Sequence, residues 1–158
     1  MPQSLPEPEF DQLYRELILD HYRNPRHREP LAKPDVVAEG YNPLCGDEVE
    51  IRLSFDNGTV SDLSVDGRGC SISQASGSML TDLVIGKRAD EVRSLSGLFT
   101  KMMTDPEGEP PEELGDLEAF QGVAKFPVRV KCATLAWHTL EDGIQQHDEG
   151  GHTARHEE

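Results

Sequence analysis

Apolar residues repeat along this chain with two periods, and each period marks a different element. From Glu9 onward Phe10, Leu13, Tyr14, Leu17, Ile18 and His21 recur every three or four positions, the spacing of one helical face. Asn24-Pro25 stops that helix, because a residue before proline is pushed out of the helical region. A proline-containing connector runs to about Asp35, and alternation then takes over. Val49, Ile51, Leu53 and Phe55 face one way and Glu48, Glu50, Arg52 and Ser54 the other, which predicts a half-buried strand. Asp56-Asn57-Gly58 is a hairpin turn, since Asn and Gly accept the positive φ it needs. Val60, Leu63 and Val65 continue on a second strand with a slip in strict alternation. Val36 and Val37 suggest a short third.

Helical spacing returns after Cys70. Ile72, Ala75, Met79 and Leu83 form an expected buried stripe, Ser73, Ser76, Gly77 and Ser78 keep the opposite side small, and Gly86 ends the helix. A short helix is expected from about Asp90 to Met102. Pro127 opens the last long helix, with Val130, Ala133, Trp137, Leu140 and Ile144 as its apolar stripe. Residues 104–116 hold Pro106, Pro110, Pro111 and six acidic residues and read as a mobile acidic loop, with a helical turn over Leu117 to Phe120. Residues 1–8, with three prolines, are expected to fray. The fold class is therefore α+β: a small antiparallel three-stranded sheet packed against helices. One domain over 1–146 carries an acidic insertion at about 103–122, followed by a disordered polar tail at 147–158.

Composition narrows the function. At 158 residues the chain can bury a core without disulfides, and three cysteines are too few and odd in number for a secreted disulfide framework. A reducing cytoplasm is the expectation. No basic start followed by an apolar run marks a signal peptide, and no apolar stretch approaches a membrane span. Thirty acidic against fifteen basic residues give a net charge of −15, which disfavours binding to nucleic acid or an anionic membrane.

Candidate chemistry lies with the cysteines. Cys45 sits in Asn42-Pro43-Leu44-Cys45-Gly46-Asp47, Cys70 in Gly69-Cys70-Ser71-Ile72-Ser73, and Cys132 in Lys131-Cys132-Ala133-Thr134-Leu135. Each falls where one element gives way to another. With Asp47 they offer four anionic donors, the set a closed tetrahedral zinc site needs. Gly46 lets the backbone turn so that Cys45 and Asp47 can face one point. Cys70 stands at a helix N-terminus, which favours thiolate. Four anionic ligands on a divalent ion leave the site net negative, and Arg129, one turn before Cys132, is the natural compensator, with Lys131 and Arg68 as weaker candidates. Three unrelated buried cysteines remain the alternative from spacing alone.

Flanking residues carry a resemblance. Tyr14-Arg15-Glu16-Leu17-Ile18-Leu19-Asp20-His21-Tyr22 with Asn24-Pro25, the Asn42–Asp47 motif, Gly69 to Ser73 with Ala75-Ser76, and Lys131 to Trp137 together resemble the U-type iron–sulfur cluster scaffold family, of NifU N-terminal and IscU-like proteins. Within it the chain resembles the SufU-type zinc-dependent sulfurtransferases. Scaffold-type members usually carry histidine before the third cysteine, where this chain has Lys131, and SufU-type members carry an insertion before the last helix, matched by the acidic segment around 103–122. The resemblance implies zinc on Cys45, Asp47, Cys70 and Cys132, and Cys45 as acceptor of persulfide sulfur from a pyridoxal-phosphate (SufS-type) cysteine desulfurase. A histidine of that partner replaces the acceptor cysteine on zinc, and the sulfur passes to a downstream iron–sulfur assembly scaffold. Arg129 matches a family arginine beside the metal. Two other functions stay open: a scaffold binding a transient [2Fe–2S] cluster through the same residues, and a zinc-stabilised binding module without turnover.

The remaining conspicuous side chains have plainer readings. His21 is expected to pack or cap, His138 to lie at the surface, and His147, His152 and His156 to belong to a solvated tail. Tyr14, Tyr22 and Trp137 are expected in the core.

Overall fold

Alternating apolar residues between Val36 and Val65 form three antiparallel strands: β1 (Val36–Asn42), β2 (Asp47–Asp56) and β3 (Thr59–Arg68). The computed structural model describes residues 6–105 and 107–158, and for 6–13 the backbone alone. Val36 pairs with Leu53 and Asn42 with Asp47, so the β1–β2 hairpin places its loop over residues 43–46. Asn57 and Gly58 take the positive φ expected of the β2–β3 turn. The slip in alternation is a register shift between Ser54 and Phe55, a local irregularity of the ladder that re-aims the residues beyond it.

The sheet has a fourth strand. β4 (Thr153–Glu157) pairs parallel with β1, Val37 beside Thr153 and Tyr41 beside Glu157, giving the order β3-β2-β1-β4 in a mixed sheet. The sequence reading treats 147–158 as a disordered polar tail. The structure instead extends the last helix to Asp148 and turns at Gly150 (φ 82°) into β4, held by Val37 N–H donating to the His152 carbonyl (2.9 Å). The composition is polar because only Ala154 of this edge strand is buried.

Four helices cover the apolar face: α1 (Pro6–Arg23), α2 (Ser71–Val84), α3 (Ala89–Thr104) and α4 (Pro127–Asp148). Helix α1 is already formed at Pro6, the first described residue, earlier than the expected Glu9. Of the segment expected to fray, residues 1–5 lie outside the described residues, as do the side chains of Phe10 and Leu13. Helix α4 lies on β1 and β2 at close range: a Cβ at Gly143 would fall 2.9 Å from Leu53 Cδ1. Trp137 on α4 is fully buried and stacks on Phe99 of α3, with ring centroids 5.6 Å apart.

Two findings refine the helices. The small side expected on α2 is a contact surface: Ser73, Ser76, Gly77 and Ser78 are all buried, Ser76 Oγ donates to the Ala133 carbonyl (2.6 Å), and Gly77 faces Val65. The reason is crowding, because α2 is packed between α1, α4 and β3. Second, the acidic segment is partly ordered. Residues Glu112–Lys125 coil in 3₁₀ turns broken at Gly115, and Leu114, Leu117 and Phe120 are buried. Leu114 lies before the break, and Leu117 and Phe120 beyond it are three apart, the 3₁₀ repeat that puts those two on one face. Phe120 meets Phe99 edge-on at 5.9 Å, and the Tyr14 hydroxyl donates to Glu118 (2.7 Å), tying this segment to α3 and α1. Pro106 is outside the described residues.

Candidate metal centre

The β1–β2 loop is built by Asn42. Its carbonyl accepts from Cys45 N–H (3.3 Å) and Gly46 N–H (2.8 Å), and its side-chain oxygen accepts from Leu44 N–H (3.1 Å). This Asx-type turn is closed by Gly46 at φ 72°. Cys45 is thereby held exposed at the tip, while Asp47, the first residue of β2, turns inward and is fully buried.

Cys70 caps α2, and its backbone N–H donates to Asp47 Oδ1 (2.9 Å), with its thiol 3.8 Å from Oδ2. Gly69 makes that approach possible: a Cβ there would lie 2.1 Å from Asp47 Oδ1. Cys132 is the buried thiol, second turn of α4, with Sγ 3.4 Å from Cys45 Sγ. One donor atom each from Cys45, Asp47 and Cys132 lies within 4.8 Å of the others, and the Cys70 thiol stands beside the trio, against Asp47.

The chemistry of this donor set fits a soft-to-borderline divalent cation. Burial pushes the Cys132 thiol far up, and the neighbouring Cys45, Asp47 and Cys70 push it further. Among the described residues Asp47 has no cationic partner, although its side chain is wholly buried. A buried carboxylate and crowded thiols are costly unless a positive charge sits among them. A divalent ion there reverses the balance, since coordination deprotonates thiols.

Arg129 is not part of the cluster. It is exposed on the first turn of α4 and lines an open groove with Ser71, Ile72, Val123 and Phe126, next to the Cys70 corner. Its guanidinium has no ion pair or hydrogen bond among the described residues. Arg68 faces Glu48 instead (3.7 Å), and Lys131 is exposed. Leu44, beside Cys45 in the loop, is exposed, as are Phe126 and Val128, which line the same groove as Arg129.

The other histidines and aromatics divide. His21 packs as expected, buried, with Nδ1 2.8 Å from Ser78 Oγ. Tyr22 is exposed, contrary to the core placement expected for it. The tail histidines are engaged: His147 stacks on Phe55, and His156 and His138 meet at Glu158. Sequence reasoning missed this last grouping, whose signal was the His138-to-Asp142 spacing of four on α4. It also left unassigned the parts of Asn42 and Gly69, although both lie in the motifs it singled out.

A family model described as the NifU-like N terminal domain matches residues 13–133. The chain is 45% identical over 142 residues to the zinc-dependent sulfurtransferase SufU of Bacillus subtilis, covering 90% of this chain and 95% of that protein. It is 40% identical over 137 residues to the iron–sulfur cluster assembly scaffold protein IscU of Streptococcus pyogenes, covering 87% and 86%. The crystal structure of the N-terminal part of a NifU-like protein from Brucella abortus superposes with a TM-score of 0.80 at 31% identity, covering 89% of this chain and 97% of that one.

Proposed function

The chain belongs to the NifU-like N-terminal domain family of iron–sulfur cluster assembly proteins, and on that footing we propose that it is a zinc-dependent sulfurtransferase. It takes sulfur from the cysteine persulfide of a pyridoxal-phosphate cysteine desulfurase onto Cys45 and relays it to a downstream assembly scaffold, in the cytoplasm. The observation that carries this reading is the inequality of the thiols: Cys45 is exposed on a glycine-closed turn, whereas Cys132 is buried on a helix 3.4 Å away.

Cys45, Asp47, Cys70 and Cys132 would hold the zinc. When bound, it supplies one thing, thiols kept deprotonated and shielded at neutral pH. The chain's residues do the rest. Cys45 can swing outward on its turn while Cys70 and Cys132 stay fixed on their helices. Its thiolate attacks the terminal sulfur of the partner's persulfide; a new S–S bond forms at Cys45, the partner's S–S bond breaks, and the partner cysteine leaves as thiolate. No oxidant or reductant is consumed. Arg129, exposed on the first turn of α4 and without an ion pair among the described residues, balances the negative charge that moves with the Cys45 thiolate or remains on Asp47. Exposed Leu44 beside Cys45, and Phe126 and Val128 in the groove that Arg129 lines, offer the partner apolar surface to cover.

The decisive measurement is the intact mass of the protein after mixing with desulfurase and cysteine. A gain of one sulfur mapped to Cys45, lost in Cys45→Ser, supports relay; an unmodified Cys45 overturns it. The likeness to an IscU scaffold protein favours a second reading, in which the same residues ligate a [2Fe–2S] cluster. Anaerobic protein supplied with iron and sulfide would then absorb visible light, whereas zinc protein is colourless.

A further inference from the structure

A second group of ligand atoms lies at the seam between α4 and β4, formed by residues outside the cysteine centre. His138 Nδ1 and His156 Nε2 both meet Glu158 Oε1, the latter at 3.0 Å. One donor atom from each of the three falls within 4.8 Å of the others. The imidazole rings are 5.5 Å apart and steeply inclined, so their nitrogens converge and the rings do not stack.

What separates this group from a chance surface cluster is the outer layer of contacts. Each of the three side chains is held by its other polar atom. His156 Nδ1 is 2.9 Å from Asp142 Oδ2, Thr134 Oγ1 donates to Glu158 Oε2 (3.0 Å), and His138 Nε2 is 3.3 Å from Thr100 Oγ1. A carboxylate behind a histidine fixes its ring orientation, so that Nε2 of His156 is aimed inward at Glu158, and a metal ion would take the place of the proton between them. The Glu158 side chain is only 8% exposed, so its charge is partly desolvated. With Asp142 it gives the seam two negative charges and no lysine or arginine partner among the described residues.

From this geometry we propose a second metal site, at which His138 Nδ1, His156 Nε2 and Glu158 bind a divalent ion of the zinc class. Two imidazoles and one carboxylate suit borderline first-row ions, and zinc accepts this donor set with a fourth position left to water. Donor atoms around tetrahedral zinc at about 2.0–2.1 Å lie about 3.4 Å apart, so an ion replaces the two hydrogen bonds at Glu158 with small outward shifts. The ion joins α4 to the last strand, independently of whether the cysteine centre transfers sulfur.

The test counts zinc in the full-length protein by native mass spectrometry during titration with Zn²⁺ alone, for the unaltered chain and for His138→Ala and His156→Ala. The unaltered chain should hold one more zinc than either variant, and that zinc should slow hydrogen exchange across residues 153–157. Asp142→Asn keeps all three ligands and should weaken only this second binding, about 10–100-fold. It decides the matter if an alanine variant loosens the strand. Equal zinc counts in all chains, or an additional zinc indifferent to Asp142→Asn, would reduce the group to a proton-bridged latch and overturn the proposal.

Discussion

Gly69 and Asp47 form a lock in which any side chain on the glycine would occupy the place of the carboxylate: a Cβ at residue 69 falls 2.1 Å from Asp47 Oδ1 and 2.8 Å from Cγ. Gly69→Ala should therefore push Asp47 off the Cys70 N–H and weaken zinc binding at the cysteine centre at least tenfold, about 1.4 kcal/mol. Gly97→Ala is the control, because nothing lies within 4 Å of that position on α3. It should leave zinc binding unchanged and add up to about 1 kcal/mol of helix stability. Competition with a chelator of known affinity reads both.

Arg129→Ala should leave zinc content and melting temperature near normal, since the guanidinium touches none of the ligands. Sulfur transfer should slow at least tenfold, about 1.4 kcal/mol of transition-state stabilisation. Lys131→Ala should do much less. Equal losses in the two variants would remove any separate part for Arg129.

Chelation of zinc should lower the melting temperature clearly. The donors come from the β1–β2 loop, the start of β2, the cap of α2 and the second turn of α4, so a bound ion ties the sheet to two helices. At a free metal concentration of 100 Kd the linkage amounts to about 2.7 kcal/mol. Calorimetry before and after proven metal loss gives the comparison, and coincident curves would show that the ligands are held without the ion.

His21 should make the fold acid-sensitive. Its burial holds the imidazole below the usual histidine range, and the Arg26 cation adds to this, against the weaker pull of Asp82, Asp20 and Asp116. The unfolded chain takes its proton near the ordinary value of about 6.5, the folded chain only at lower pH. This contribution is therefore complete above about pH 6.5 and is lost as pH falls from there toward the depressed folded value. His21→Gln keeps a polar group for Ser78 but cannot titrate. Its urea midpoint should fall less steeply than that of the unaltered chain between about pH 7 and about pH 5. Parallel curves would clear His21 of the effect.

The antiparallel strands and all four helices were legible because their signals are local. Alternation names the faces of β2, Asn57-Gly58 names the turn, and even the slip after Val60 had a physical counterpart in the Ser54/Phe55 shift. The cysteine motifs named the donors that the fold brings near one another. What escaped depends on neighbours. An edge strand such as β4 needs no apolar pattern, because its register comes from the backbone of β1. The small side of α2 was named but not its neighbours, because small residues serve close packing as well as exposure. A turn was expected over Leu117 to Phe120, but the burial of these residues and of Leu114 was hidden by their acidic surroundings and by the break at Gly115.

Strand β4 also seals an edge. Without it β1 would present a row of unpaired N–H and C=O groups from Val37 to Tyr41, with no proline or bulge to blunt them, and such a row is a template for another chain. A chain cut after Asp148 would thus be sticky as well as shorter. Light scattering should show it associating as its concentration rises, while the intact chain, its rim already occupied by its own last strand, offers β1 to no one else.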